Sequence, residues 1–253
     1  MEESLKKPSN FESLCYEDFQ DMARDPKLSI YEKIGFPDSY RANYEELIFS
    51  DIKNKLTNLH NKNAYILDIG PGCSNLPKYL INHSVARDQE LVLIDSQEML
   101  AQLPDHKYVK KISGFYPDCK DQISSWKGKI DAILCYSVLH YIFIETNLWR
   151  FIDTSIEMLA PGGQMLIGDI PNISKRKRFF SSSTGIEFHK KFMNTDKAPI
   201  VDFITVEKDK IDDSVMMAII MRVRSQGCDA YWLSQPKDLP MANRREDILI
   251  YKP

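Results

Sequence analysis

The spacing of apolar residues changes along the chain, and those changes divide it into elements. Between residues 9 and 24, Phe11, Leu14, Cys15, Phe19 and Met22 recur at helical spacing. Asp25-Pro26 stops that helix, because a residue before proline is driven out of the helical region. Residues 30–37 read as a short helix or turn, and Tyr44, Leu47, Ile48, Ile52, Leu56 and Leu59 mark a long amphipathic helix. At 64–69 the pattern becomes a short apolar run broken by one acid, as expected of a strand covered on both faces. Similar runs predict strands at 90–95, 107–112, from 130 to an exit at Ser137 to Tyr141, 164–170, 230–233 and 248–251. Helices are predicted at 75–82, 144–159 and 213–225, the last burying Val215, Met216, Ala218, Ile219 and Val223. Strands alternating with helices specify an α/β fold.

Composition narrows the class. A chain of 253 residues, 43% hydrophobic, can bury one large domain with additions and does not read as disordered. A net charge of −3 argues against a general nucleic-acid surface. The five cysteines show no C-x-x-C and no zinc spacing, so they read as reduced thiols of a cytoplasmic protein with no bound metal. No apolar run approaches the ~20 residues of a membrane span, the first residues do not read as a signal peptide, and no internal repeat is visible.

Two stretches carry candidate chemistry. The strand at 64–69 runs into a turn holding Gly70 and Gly72, where backbone can approach a ligand closely; Ser74 is placed to cap the next helix, with Pro77 in its first turn. A strand, a glycine turn and a helix start form a cofactor cradle at the carboxyl edge of a sheet. Asp95 ends the second strand, where a carboxylate can accept the two hydroxyls of a ribose or cap a helix over 96–100. A nicotinamide G-x-G-x-x-G pattern would need glycine at the position of Asn75.

The pattern Asp68-x-Gly70-x-Gly72-x-Ser74 resembles motif I of the class I S-adenosylmethionine (SAM) methyltransferases, with Ser74 in place of the third glycine. The stretch from Ile130 to Tyr141 resembles the family's FDxVxxxxVLHH/Y motif, and Leu159 to Gly163 its LxPGG turn. These landmarks lie in family order between residues 64 and 170. The resemblance implies a Rossmann-like seven-stranded sheet of order 3-2-1-4-5-7-6. It also implies a SAM-binding core at 63–253 and an N-terminal helical cover at 1–62. Asp68, Gly70, Pro71, Gly72, Ser74 and Ser137 would surround the cofactor, Asp95 would hold its ribose, and Ser96, Gln97 and Met99 would lie by the adenine. Phe115 stands where family members carry an acid, so either it packs on the adenine or Tyr116 and Asp118 supply the polar contact. His140 and Tyr141 would face the transferred methyl; His140 is then either a general base or a structural hydrogen-bonding residue. Phe11 and Phe19 read as core, and Tyr31 and Tyr40 as core or acceptor-facing residues.

Residues 171–212 form an insertion at the catalytic edge, opening with Asn172 and the basic run Lys175, Arg176, Lys177 and Arg178. The run is a solvated face or a grip on a phosphate or carboxylate, its position at the catalytic edge balancing the two evenly, or, more weakly, a nuclear-localisation signal. His189 reads as packed beside Phe188 and Phe192, and the connection holding Arg244 and Arg245 borders the acceptor site. With no NPPY-type motif, the expected activity is SAM-dependent methylation, on oxygen, of a small and phosphorylated or otherwise anionic molecule. The tail and the Lys/Ile/Asn-rich composition also resemble small methyltransferases of bacterial capsule and surface-polysaccharide loci. The alternatives are a non-catalytic SAM-binding subunit and a nicotinamide-dependent dehydrogenase.

Overall fold

The computed structural model describes residues 14–253, so Phe11 lies outside the described residues. A seven-stranded sheet runs in the order β3-β2-β1-β4-β5-β7-β6, with β1 Tyr65–Ile69, β2 Glu90–Asp95, β3 Val109–Ser113, β4 Ile130–Tyr136, β5 Leu159–Pro171, β6 Asp229–Ser234 and β7 Arg245–Tyr251. The first five strands are parallel; β7 pairs antiparallel with both β5 and β6. This is the predicted order. β1 and β4 are neighbours while their connections leave in opposite directions, so the crevice beyond their carboxyl ends is the topological switch point.

The strand alternation sorts side chains onto two faces. Ile66, Leu91, Leu93, Ala132 and Leu134 join one buried cluster with α3 (Glu45–Lys55) and α4 (Asn75–Val85). Leu67, Val92, Ile94, Ile133 and Cys135 join the other, with α6 (Leu139–Glu145), α7 (Leu148–Met158) and α10 (Asp213–Ser225). The helix α3 is an integral layer of the core: Ile48, Ile52 and Leu56 are at most 1% exposed. The helices α1 (Tyr16–Arg24) and α2 (Asp38–Arg41), with a 3-10 turn at Glu32–Ile34, lie over the carboxyl edge instead.

Three boundaries differ from the sequence reading. The predicted helix at 144–159 is two helices, α6 and α7, because the Asn147 side chain caps a new start by accepting from the Trp149 and Arg150 amides. The strand β4 ends at Tyr136, because α6 starts from Val138, and His140 and Tyr141 stand in its first turn. The expected turn at 160–163 is drawn into β5: Leu159 pairs with Ile130, the register shifts, and Gly162 and Gly163 exchange backbone hydrogen bonds with Lys252. The insertion folds as α8 (Ile173–Phe180) and α9 (Ser183–Met193), followed by irregular chain.

Candidate active site

The glycine turn after β1 is closed by its neighbours. Gly70 and Gly72 have φ of +68° and +67°, a region that side chains rarely adopt. A Cβ on Gly70 would lie 2.7 Å from a methyl of Val138, and one on Gly72 would lie 2.6 Å from a methyl of Ile34. Asp95 supports the turn by accepting the Gly72 amide at 2.8 Å and the Ser96 amide at 2.7 Å. Burial pushes its carboxyl up to about 6, which leaves it ionised above neutrality with lone pairs to spare. Ser74 holds the N-cap position of α4, but its side chain makes no cap bond. The Glu45 carboxylate takes that role, accepting the Asn75 amide at 2.9 Å.

The residues around this turn line a cavity. Gly70, Pro71, Gly72, Ser74, Asp95 and Met99 lie on its wall, as do Phe115 and Ser137. Asp68 and Ser96 do not. Asp68 is buried below the turn, its carboxyl pushed up to about 8 by burial and then by the Asp95 charge. The Ser96 hydroxyl accepts the Met99 amide to cap α5 (Gln97–Leu100), and Gln97 is exposed. The Phe115 ring stands edge-on to Tyr16, with centroids 5.2 Å apart. The Tyr116 hydroxyl is bonded to Ser155 and Asp118 is paired with Arg150, so the packing role of Phe115 is the one this geometry favours.

A second, larger cavity adjoins the first, and Phe36 and Tyr141 lie on the walls of both. Tyr40, His140, Asn172 and Arg176 line the second cavity; Tyr31, Lys175 and Arg178 line neither. The Tyr31 hydroxyl accepts from Asn75, Lys175 pairs with Glu246 at 3.6 Å, and Arg178 pairs with Asp213. Lys177 pairs with Glu207, leaving Arg176 as the member of the basic run that faces the cavity. Asn172 is buried and fully used: its amide donates to Asp213 and Glu246, and its oxygen caps α8. The His140 ring lies 3.9 Å from that of Tyr141, its Nδ1 buried with no partner. Burial, then the charges of Arg245, Lys210 and Arg41, hold its pKa well below the usual value, so the imidazole is neutral. Burial pushes the Tyr141 phenol up to about 12, so it stays protonated. His189 lies on the second cavity's wall beside Phe180, with ring centroids 6.0 Å apart. Among the described residues no group of three His, Cys, Asp or Glu side chains could hold a metal ion, and no helix is long and apolar enough to cross a membrane.

Several residues at this site escaped the sequence reading. Arg41 lines the first cavity and donates to both the Ser137 hydroxyl and the Asp169 carboxylate. The Ser137 hydroxyl donates to the same carboxylate. Ser137 and Asp169 have φ of 63° and 56°, so two non-glycine residues hold left-handed backbone where β4 and β5 reach the site. Glu45 also lines the cavity, and its Oε1 is buried with no partner. Asp169 carried a usable signal: like Asp68 and Asp95, it is an acid at the end of an apolar strand.

Solved structures share this architecture at low sequence identity. The plantazolicin methyltransferase BpumL, in complex with a triazolic desmethylPZN analog and S-adenosylhomocysteine (SAH), gives a TM-score of 0.57 at 13% identity, over 94% of this chain and 99% of that one. The N-methyltransferase NodS from Bradyrhizobium japonicum WM9, in complex with SAH, gives 0.53 at 13%, over 94% and 98%. The CurJ carbon methyltransferase gives 0.53 at 12%, over 93% and 64%. No protein-family model matches the chain, and no curated protein matches it by sequence. The fold is that of the class I SAM-dependent methyltransferases. Neighbours that methylate nitrogen and carbon share it, so the fold does not fix the acceptor atom.

Proposed function

We propose that this protein binds SAM in the first cavity and transfers its methyl group to oxygen on a small anionic molecule held in the second. The observation that carries the reading is the pair of cavities meeting at Phe36 and Tyr141, one walled by the glycine turn and Asp95, the other by arginines. The first cavity fits the cofactor by charge as well as shape. The free lone pairs of Asp95 suit the two ribose hydroxyls, and the orphaned Glu45 Oε1 suits an α-ammonium group. Phe115, Met99 and Tyr16 offer apolar walls to an adenine. Bound SAM would supply an electrophilic methyl carbon on a sulfonium.

The protein's share is then to orient the acceptor atom and exclude water. Tyr141 and Phe36 wall the junction, Ser137 is locked by Arg41 and Asp169, and the neutral His140 borders the acceptor side. An acceptor oxygen already negative at neutral pH needs no strong base, which suits the lowered pKa of His140. The weaker capsule-locus resemblance agrees with a phosphate-bearing acceptor. Calorimetry with SAH and with NAD tests the cofactor, with SAH binding and NAD failing. NAD binding without SAH binding would overturn the assignment, and SAH binding without turnover on any acceptor would make the chain a SAM-binding subunit.

A further inference from the structure

The wall of the second cavity carries two chemically different sets of side chains, and they meet where the Arg176 guanidinium lies 6.0 Å from the centre of the Phe180 ring. The first set is Arg176 and Arg244, neither of which forms an ion pair among the described residues. Arg244 is partly buried against the Tyr40 ring, so its charge stands in a partly desolvated setting, where an anion is bound more strongly than at an open surface. Arg245 borders the same region but is already held by Asp169.

The second set is aromatic and apolar. Phe180, Phe188, Phe192 and Met193 line the cavity from α8 and α9. The Phe188 and Phe192 rings are stacked, with centroids 5.8 Å apart and planes at 9°, and Phe188 approaches Phe180 at 6.4 Å. These side chains are not core: Phe188 is 40% exposed, Phe192 63% and Met193 59%. A contiguous apolar wall left in water beside a binding cavity marks a surface that a ligand covers. A bare phosphate or a sugar phosphate would engage the arginines and leave the apolar side chains wet.

We infer that the acceptor is an amphipathic anion, a phosphate monoester whose apolar tail lies along Phe180, Phe188 and Phe192 while its charged head is held by Arg176 and Arg244. The inference rests on the methyltransferase reading for the word acceptor, but the binding of such a molecule can be measured without turnover.

The test is calorimetry of octyl phosphate, inorganic phosphate and octanol with the full chain, SAH affinity being measured on the same samples. Octyl phosphate should bind at least tenfold more tightly than either inorganic phosphate or octanol. Arg176→Ala with Arg244→Ala should weaken octyl phosphate at least tenfold and leave SAH affinity unchanged. Phe192→Ser, at an exposed position that the fold does not need, should remove much of the octyl advantage without changing inorganic phosphate. Equal affinity for octyl and inorganic phosphate, or full affinity in both variants, would overturn the inference while leaving SAH binding intact. Loss of SAH binding in the wild type would instead strike the cofactor reading. Sedimentation with phosphatidic-acid vesicles would assign the tail to a bilayer lipid, and octyl phosphate binding without sedimentation to a free monoester; either result supports the amphipathic class.

Discussion

The Arg41 guanidinium reaches the Asp169 carboxylate at 3.0 Å, with the two side chains only 3% and 4% exposed. The pair ties α2 to the end of β5, across 128 residues of chain. The Phe36 ring lies 4.0 Å from the guanidinium carbon, covering it from the other side. Removing one member of such a pair leaves a charge buried without its partner, a loss on the order of 3–5 kcal/mol. Arg41→Met should therefore destabilise the protein severely in denaturant unfolding. Arg41→Met with Asp169→Asn should recover part of that loss, since the Asp169 carboxylate would otherwise keep only Arg245, at 3.9 Å. A double variant no more stable than the single would show that the pair is not the source of the effect.

Asp95 and Gly70 separate binding from folding. Asp95→Ala should weaken SAH binding by at least about tenfold, since hydrogen bonds to a charged group are worth roughly 1.5–3 kcal/mol each. It should leave the circular dichroism spectrum intact, because Asp95 supports only the Gly72 and Ser96 amides. Gly70→Val should cost stability as well as affinity. The positive φ and the 2.7 Å approach to Val138 act on the empty protein, before any ligand competes for space. An unchanged SAH dissociation constant in Asp95→Ala would remove Asp95 from the site.

Most of the sheet was legible because its signals are local. Buried parallel strands read as apolar runs, and the acids and glycines that interrupt them sit at strand ends, which is how Gly70, Gly72 and Asp95 came to light. Arg41 and Glu45 were not legible in that way. Each acts on a partner distant in sequence, Asp169 and the Asn75 amide respectively, and nothing in the spacing of α2 and α3 reveals which of their polar residues turns inward. The basic run illustrates the opposite limit. Four adjacent charges look equivalent in sequence, yet helical geometry sends them in different directions: Lys175, Lys177 and Arg178 to Glu246, Glu207 and Asp213, and Arg176 to the cavity.

Asp68 gives a pH signature of its own. Its carboxyl is raised from 3.8 to about 8 in the folded protein, chiefly by burial. Between those values the folded state holds a proton that the unfolded state has released, so stability falls as pH rises through that window. Above about pH 8 the full cost of burying the charge is present. Asp68→Asn, nearly the same shape without the charge, should flatten the dependence of the denaturation midpoint on pH over this range and gain most at its alkaline end. Parallel pH profiles for the wild type and the variant would show that Asp68 does not hold the proton.

His140 decides between two ways of activating the acceptor. Burial of its ring nitrogen and the charges of Arg245, Lys210 and Arg41 hold its pKa well below the usual 6.5, so it stays neutral. The profile of kcat/KM against pH should therefore show no limb near 6.5 that disappears in His140→Ala. A ring with so depressed a pKa is a weak base, and an acceptor that is already anionic has no proton for it to take. His140→Ala should then lower turnover less than about tenfold, whereas loss of a true general base typically costs about 10²–10⁴. Arg176→Ala should be the more damaging change, and Arg178→Ala nearly silent, because Arg178 is committed to Asp213 at the surface while Arg176 stands on the cavity wall. A hundredfold loss at His140 with little effect at Arg176 would reverse the reading and make the acceptor a neutral hydroxyl.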